Sequence, residues 1–145
     1  MLSLDTDIFL YYHNLDCAEQ PSAAAFVASL VERRDVVISE FVLVELYILL
    51  RNPAVLQHSC SAPDAAAICQ RWRANPNWRL VDAAPVMDQV WASASAPSFG
   101  RRRIIDARLA LCLRHHGVTH LATRNIKDFA GFGFERVFDP LSDAL

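Results

Sequence analysis

Three carboxylates of this 145-residue chain lie far apart in strongly apolar stretches. Asp5 directly follows the apolar residues 2–4, Glu45 lies within residues 41–50, and Asp106 follows two isoleucines. A buried carboxylate without a partner costs several kcal/mol, and carboxylates that are brought together also repel one another. A divalent cation would remove both costs, and all-oxygen ligands favour Mg²⁺, with Mn²⁺ as a substitute. The pattern therefore predicts a metal site that can polarise a phosphoryl oxygen and activate water.

Each acid also has an ordinary structural explanation. Asp5 could be a turn residue, and Asp106 could be an acid favoured by the dipole in the first turn of a helix. Glu45 could form a buried ion pair with an arginine. Glu45 is the hardest of the three to explain in this way, because residues 41–50 predict a helix that is apolar and buried on nearly every side.

Strand and helix patterns alternate along most of the chain. We predict strands at 2–4, 36–38, 78–81, 118–122 and 136–138, and helices at 22–34, 40–51, 64–73, 85–94 and 104–116. Ser22 and Ser39 are the predicted N-caps of the first two helices. The alternation indicates a single α/β domain over residues 1–145 with a largely parallel sheet. Ligands of such sheets bind beyond the carboxyl ends of the strands, where Asp5 lies.

Further polar residues are predicted at the same edge of the sheet. Second-shell or fourth-position candidates for the metal are Asp7, Thr123, Asn125 and Asp128. Cations that could hold the phosphates of a nucleic acid are Arg101, Arg102, Arg103, Arg124 and Lys127. A solvent-exposed turn explains the three consecutive arginines equally well.

The composition limits the classes of function. Hydrophobic residues make up 53% and charged residues 21%, which indicates a globular protein. The net charge of −2 excludes a broad basic surface for nucleic acid, so any such contact is local or metal-assisted. Without a signal-peptide pattern or a long apolar run, we expect a cytoplasmic protein that is not bound to membranes. The four cysteines have no zinc-site spacing.

Taken in order, four short motifs resemble those of PIN-domain nucleases, and within them the VapC toxins of bacterial toxin–antitoxin pairs. The motifs are Leu4-Asp5-Thr6-Asp7, Ser39 followed by Glu45-Leu46, Asp106-Ala107, and Thr123-Arg124-Asn125 with Asp128-Phe129. The resemblance implies a three-layer α/β/α sandwich and a Mg²⁺-dependent endoribonuclease, in which metal-activated water attacks an RNA phosphodiester in line and leaves a 5′-phosphate. It also implies a homodimer and a cognate antitoxin that blocks the acidic groove and assembles with the toxin into a larger complex.

The resemblance also assigns roles and leaves questions open. By position, Asp5 and Asp106 would be direct metal ligands, and Glu45 would complete the cluster directly or through water. The family usually has asparagine where Asp7 stands, and its fourth acid often falls where this chain has Asn125, so one or two metals are both compatible.

Two other functions compete with this interpretation. Asp5-Thr6-Asp7 is similar to the nucleophile motif of haloacid-dehalogenase-type phosphatases, but Phe9 departs from that motif and Lys127 is the single lysine. The second alternative is a degenerate PIN domain that only binds RNA or a partner protein.

Overall fold

The strands form a parallel sheet with the first strand at its centre. The computed structural model describes residues 1–142. β1 pairs in parallel with β4, β4 with β5, and β2 with β3, while a bridge between Leu2 and Val36 joins the two ladders. The resulting order is β3-β2-β1-β4-β5. The strands are β1 (Leu2–Leu4), β2 (Val37–Ser39), β3 (Arg79–Val81), β4 (His120–Ala122) and β5 (Arg136–Phe138).

Helices pack in two groups against this sheet. The first group has α1 against α2 and α3, and α3 against α4; the second has α5 against α6. The predicted α/β sandwich with a parallel sheet is therefore confirmed. The helices are α1 (Thr6–His13), α2 (Gln20–Ala28), α3 (Glu40–Leu50), α4 (Ala62–Arg73), α5 (Met87–Ala94) and α6 (Arg103–His115), with 3-10 turns at Ala84–Val86 and Ile126–Phe129.

Helix α1 was not predicted from the sequence, although it directly follows β1. The side chain of Asp5 accepts a hydrogen bond from the Thr6 N–H and serves as its N-cap. The buried Phe9 packs against Trp72 and Trp78, with ring centroids 5.2 and 6.2 Å away. Tertiary packing thus stabilises a helix whose β-branched and aromatic residues have modest helix propensity.

The predicted bounds of helix α2 were wrong at both ends. It begins at Gln20 rather than after Ser22, because Pro21 is well suited to the first helical turn. It ends at Ala28, where the backbone tightens to shorter-range bonds such as Leu30 N–H to Val27 O, instead of continuing to residue 34. The strands and the remaining helices match their predicted positions within a few residues, and β4 is shorter than predicted.

Helix α3 is not buried on every side, which corrects the prediction for residues 41–50. Ser39 caps it as predicted. Val44 and Ile48, which lie one helical turn apart, are 52% and 58% exposed and form an apolar stripe on the surface of the helix. Glu45 borders this stripe and is only partly buried.

Among residues 1–142, none of the helices combines the length and apolar character needed to cross a bilayer. All four cysteines lie in this range as free thiols.

Gly117 is required at the turn from α6 into β4. Its φ of +86° lies in the left-handed region, and a Cβ placed there would lie 2.6 Å from the Met1 Cε atom. We therefore expect Gly117→Ala to lower the free energy of unfolding by about 1–2 kcal/mol, measured by urea denaturation. Gly100→Ala is the control, because Gly100 has open space around it and no positive φ. Equal stability of the two variants would contradict this role for Gly117.

Candidate active site

Neighbouring strand ends bring Asp5 and Thr123 together. The Asp5 N–H donates to the Ala122 carbonyl at 2.9 Å, and the Thr123 N–H donates to the Phe138 carbonyl at 2.9 Å. Both residues thus continue the parallel ladder just beyond the carboxyl ends of β1 and β4. This is the edge of the sheet at which the sequence predicted a site.

Hydrogen bonds hold both oxygens of the buried Asp5 carboxylate. Oδ1 accepts from the Thr6 N–H at 2.7 Å, and Oδ2 accepts from the Thr123 hydroxyl at 2.8 Å. Thr123 is itself fully buried, and its Oγ1 accepts the Asn125 N–H at 3.0 Å. Burial raises the pKa of Asp5, these hydrogen bonds oppose the rise, and the charge of Asp128 adds to it. The carboxylate therefore has a fixed orientation at an electrostatic cost.

Asp7 lies beside Asp5, and its two carboxylate oxygens differ in their hydrogen bonding. Its Oδ2 accepts the Arg124 N–H at 2.9 Å and lies 3.4 Å from the Thr123 hydroxyl. Its Oδ1 is buried and has no hydrogen-bond partner among residues 1–142. Burial and the repulsion of Asp5 raise the pKa of Asp7 to about 7.

Glu45 and Asp106 complete the cluster from α3 and α6. The Thr6 hydroxyl donates to Glu45 Oε2 at 3.4 Å. Burial raises the pKa of Glu45, and the negative charge of Asp5 raises it further. Burial also raises the pKa of Asp106, followed by the charges of Asp128 and Asp5. Acids predicted from distant parts of the sequence thus lie close enough in the fold to raise one another's pKa values.

The cluster suits a cation, although it does not form a ready-made cage of carboxylates. Mutual repulsion, raised pKa values and the unpartnered Asp7 Oδ1 are the features that a bound divalent cation would relieve. Within residues 1–142, however, no three acidic, imidazole or thiol side chains are placed to hold one ion together. Any ion at this site would therefore take several of its ligands from water.

The predicted phosphate-binding cations differ in their surroundings. Arg101, Arg102 and Lys127 are exposed. The Arg103 guanidinium donates to the Asp128 carbonyl at 3.4 Å and lies 5.1 Å from the Phe132 ring centroid.

Arg124 has a different environment from the other four cations. Its guanidinium donates to Asp139 at 3.1 Å and to Glu19 at 3.2 Å, and it lies over the Tyr11 ring. It is therefore already paired with two carboxylates.

Sequence reasoning missed two residues of this site. Thr6 contacts both Asp5 and Glu45, and its position between two acids was the available signal. Arg108 stacks on the Phe41 ring beside Glu45, and its charge in an otherwise apolar stretch of helix was the signal.

Known proteins resemble this chain over nearly its whole length. Ribonuclease VapC24 of Mycobacterium tuberculosis is 54% identical over 142 residues, which are 98% of each chain. No protein-family model matches the chain.

Two solved structures share the fold. The crystal structure of VapC20 of Mycobacterium tuberculosis, a sarcin–ricin loop cleaving toxin, matches with a TM-score of 0.70 at 21% identity over 92% of this chain and 96% of that one. A toxin–antitoxin complex from Klebsiella pneumoniae matches with a TM-score of 0.60 at 18% identity, over 97% and 98% of the two chains.

Replacing Asp7 with asparagine should stabilise the metal-free protein at alkaline pH. Because the pKa of Asp7 is about 7 in the folded state and 3.8 without these surroundings, folding favours its protonated form. That favourable contribution is complete below about pH 4 and is lost as the pH rises through 7. We expect Asp7→Asn to raise the free energy of unfolding by roughly 1–3 kcal/mol at pH 8 in EDTA, and to change it little at pH 4.

Guanidinium denaturation at the two pH values measures this difference. Asp88→Asn, at an exposed position on α5, is the control. A variant that is no more stable than the wild type at pH 8 would contradict the prediction.

Proposed function

The chain belongs to the VapC family of ribonucleases, and we propose that Asp5, Glu45 and Asp106 are the catalytic residues of its endoribonuclease site. The observation that carries this proposal is the fixed, buried Asp5 carboxylate at the carboxyl end of the central strand, in the field of the other two acids. A carboxylate that is buried at a cost to stability and aimed at a strand-end crevice is typical of an active site.

The metal of this site, we propose, is Mg²⁺, for which Mn²⁺ can substitute. Asp5 and Asp106 would hold it, and Glu45 would act directly or through water. Mg²⁺ keeps several waters and uses one or two carboxylates, which suits a cluster without three converging ligands among residues 1–142. When bound, the ion supplies positive charge that polarises a phosphoryl oxygen and lowers the pKa of water.

The surrounding residues orient the acids for this chemistry. Thr6 and Thr123 fix the two oxygens of Asp5, and the Asn125 N–H fixes the Thr123 hydroxyl in turn. Asp7 and Asp128 add negative charge at the same place and remain candidates for the fourth position, with Asn125 as the third candidate.

The RNA strand requires local cations, because the net charge is −2. We place its phosphates against the basic loop that precedes Asp106 and against Lys127, which lies beside Asp128 in the chain. Arg101, Arg102 and Arg103 supply the guanidinium groups of this loop, and Arg124 is left out because it is already paired.

The two competing functions lose their support. The phosphatase interpretation does not account for a chain 54% identical to a ribonuclease over 98% of its length. A degenerate domain would have no need to keep buried, mutually repelling acids around Asp5.

Two protein partners complete the proposal: a cognate antitoxin that covers the acidic groove, and a second copy of this chain, assembled together into a larger complex. The structural neighbour from Klebsiella pneumoniae is a toxin–antitoxin complex. On this chain, the exposed stripe of Val44 and Ile48 is an apolar surface that a protein partner would cover. We assign this stripe to the homodimer and the acidic groove to the antitoxin.

Asp5→Asn should abolish RNA cleavage, because the neutral amide removes a metal ligand and the central charge of the cluster. We expect a loss of about 1,000-fold, equivalent to roughly 4 kcal/mol of barrier. Sequencing of RNA 5′ ends after induction in bacteria would show sites cut by the wild type and by the Asp88→Asn control, but not by Asp5→Asn.

Purified wild type should lose activity in EDTA and regain it with Mg²⁺ or Mn²⁺. Cleavage by Asp5→Asn at the wild-type rate would overturn the proposed site.

The double variant Val44→Ser, Ile48→Ser should be a folded monomer. Both side chains already face solvent in the single chain, so their loss removes contacts to a partner and not to the core. Sedimentation velocity compares it with the wild type and with Val55→Ser, a control at another partly exposed valine. A monomeric wild type, or a double variant that still dimerises, would contradict the assignment of this surface.

A further inference from the structure

Arg108 is held in one position at the side of the acid cluster. Its guanidinium carbon lies 3.3 Å from the centroid of the Phe41 ring, so the two planar groups are stacked between α6 and α3. Such a cation–π contact contributes about 0.5–2 kcal/mol and fixes a side chain that would otherwise be mobile.

This fixed cation lies next to a catalytic acid without pairing with it. Phe41 and Glu45 are four residues apart on α3 and therefore share one side of the helix. The charge of Arg108 opposes the effect of burial on the pKa of Glu45, which places the two groups within electrostatic reach. Yet within residues 1–142 the Arg108 guanidinium has no hydrogen bond and no ion pair, although the side chain is partly buried.

The unpaired N–H groups of Arg108 need an acceptor. A guanidinium has five N–H donors around the edge of its plane, and stacking on Phe41 covers a face while leaving that edge free. A side chain that only balanced the charge of Glu45 would form an ion pair with it. A phosphate group accepts two parallel hydrogen bonds from such an edge.

The acid cluster also needs a cation on this side. Four carboxylates repel RNA phosphates, and the basic loop at residues 101–103 precedes α6 on the side of Asp106 and Asp128. Arg108 lies on the other side, where α3 carries Glu45.

We infer that Arg108, held against Phe41, binds a phosphate of the RNA strand that crosses the acid cluster, on the α3 side of the site. This inference rests on the proposed function, because it assumes that RNA occupies that site. Arg108 is thereby a substrate-binding residue, and Phe41 is a positioning residue that acts through it.

The test measures RNA binding without turnover. A short mixed-sequence single-stranded RNA with a fluorescent label is titrated in Mg²⁺ buffer at several KCl concentrations. The proteins carry Asp5→Asn alone or together with Arg108→Gln, Arg108→Lys or Arg51→Gln. Arg51 is the matched control, because it also lies over a ring of α3, that of Tyr47, about 9 Å further along the helix than Phe41.

Arg108→Gln should weaken binding about 10-fold or more, and should reduce the slope of log Kd against log[KCl] by about 0.7, which corresponds to one lost phosphate contact on a single strand. Arg108→Lys should keep the slope and lose part of the affinity, because a lysine keeps the charge but not the planar fork. Arg51→Gln should bind like the parent protein.

Equal affinities and slopes for Arg108→Gln and Arg51→Gln, or no RNA binding by any of the proteins, would overturn the inference. Melting temperatures show whether a variant is folded, and Arg108→Lys decides the result if Arg108→Gln is not. Cleavage of the RNA by the Asp5→Asn parent at the wild-type rate would contradict the proposed catalytic site instead, which separates the two failures.

Discussion

The hydrogen bond from the Thr123 hydroxyl to Asp5 is the contact on which the site depends. It joins residues 118 positions apart and fixes the ends of the adjacent strands β1 and β4 relative to each other. The other oxygen of the same carboxylate caps α1, so one side chain sets the sheet edge, the direction of a helix and the position of a charge. Because Thr6 also reaches Glu45, the cap of α1 extends this connection to α3.

This arrangement is costly in the absence of a ligand. Buried carboxylates repel one another, and the hydrogen bonds from Thr6 and Thr123 offset only part of the cost, as the raised pKa of Asp5 shows. Active sites commonly accept such local instability because the ligand removes it. The backbone N–H groups of Thr6 and Arg124 donate to the carboxylates of Asp5 and Asp7, and the Asn125 N–H donates to the Thr123 hydroxyl. The charges are therefore oriented before any cation binds.

The strands and most helices could be predicted because their apolar periodicity and caps are local signals, as with Ser39 before α3. Helix α1 was missed because its residues favour strands in isolation and its stability comes from Phe9 packing on distant tryptophans. Asp5, Glu45 and Asp106 were identifiable as acids in apolar surroundings, although the reason given for Glu45 was partly wrong, since Val44 and Ile48 face solvent. The engagement of Arg124 by Asp139 and Glu19 depends on tertiary contacts that no local pattern indicates.

The central place of β1 in the sheet affects the order in which the site forms during folding. Its neighbours are the strand at residues 120–122 and a bridge to Val36, so the two halves of the site meet only through pairing between distant parts of the chain. Non-local parallel pairing is among the slowest steps of folding, because the entropy of closing a long loop is lost before the contacts form. A partly folded chain with its local helices in place thus lacks the Asp5–Thr123 contact. The acid cluster around Asp5 is accordingly assembled only once the non-local pairing of β1 with β4 has formed.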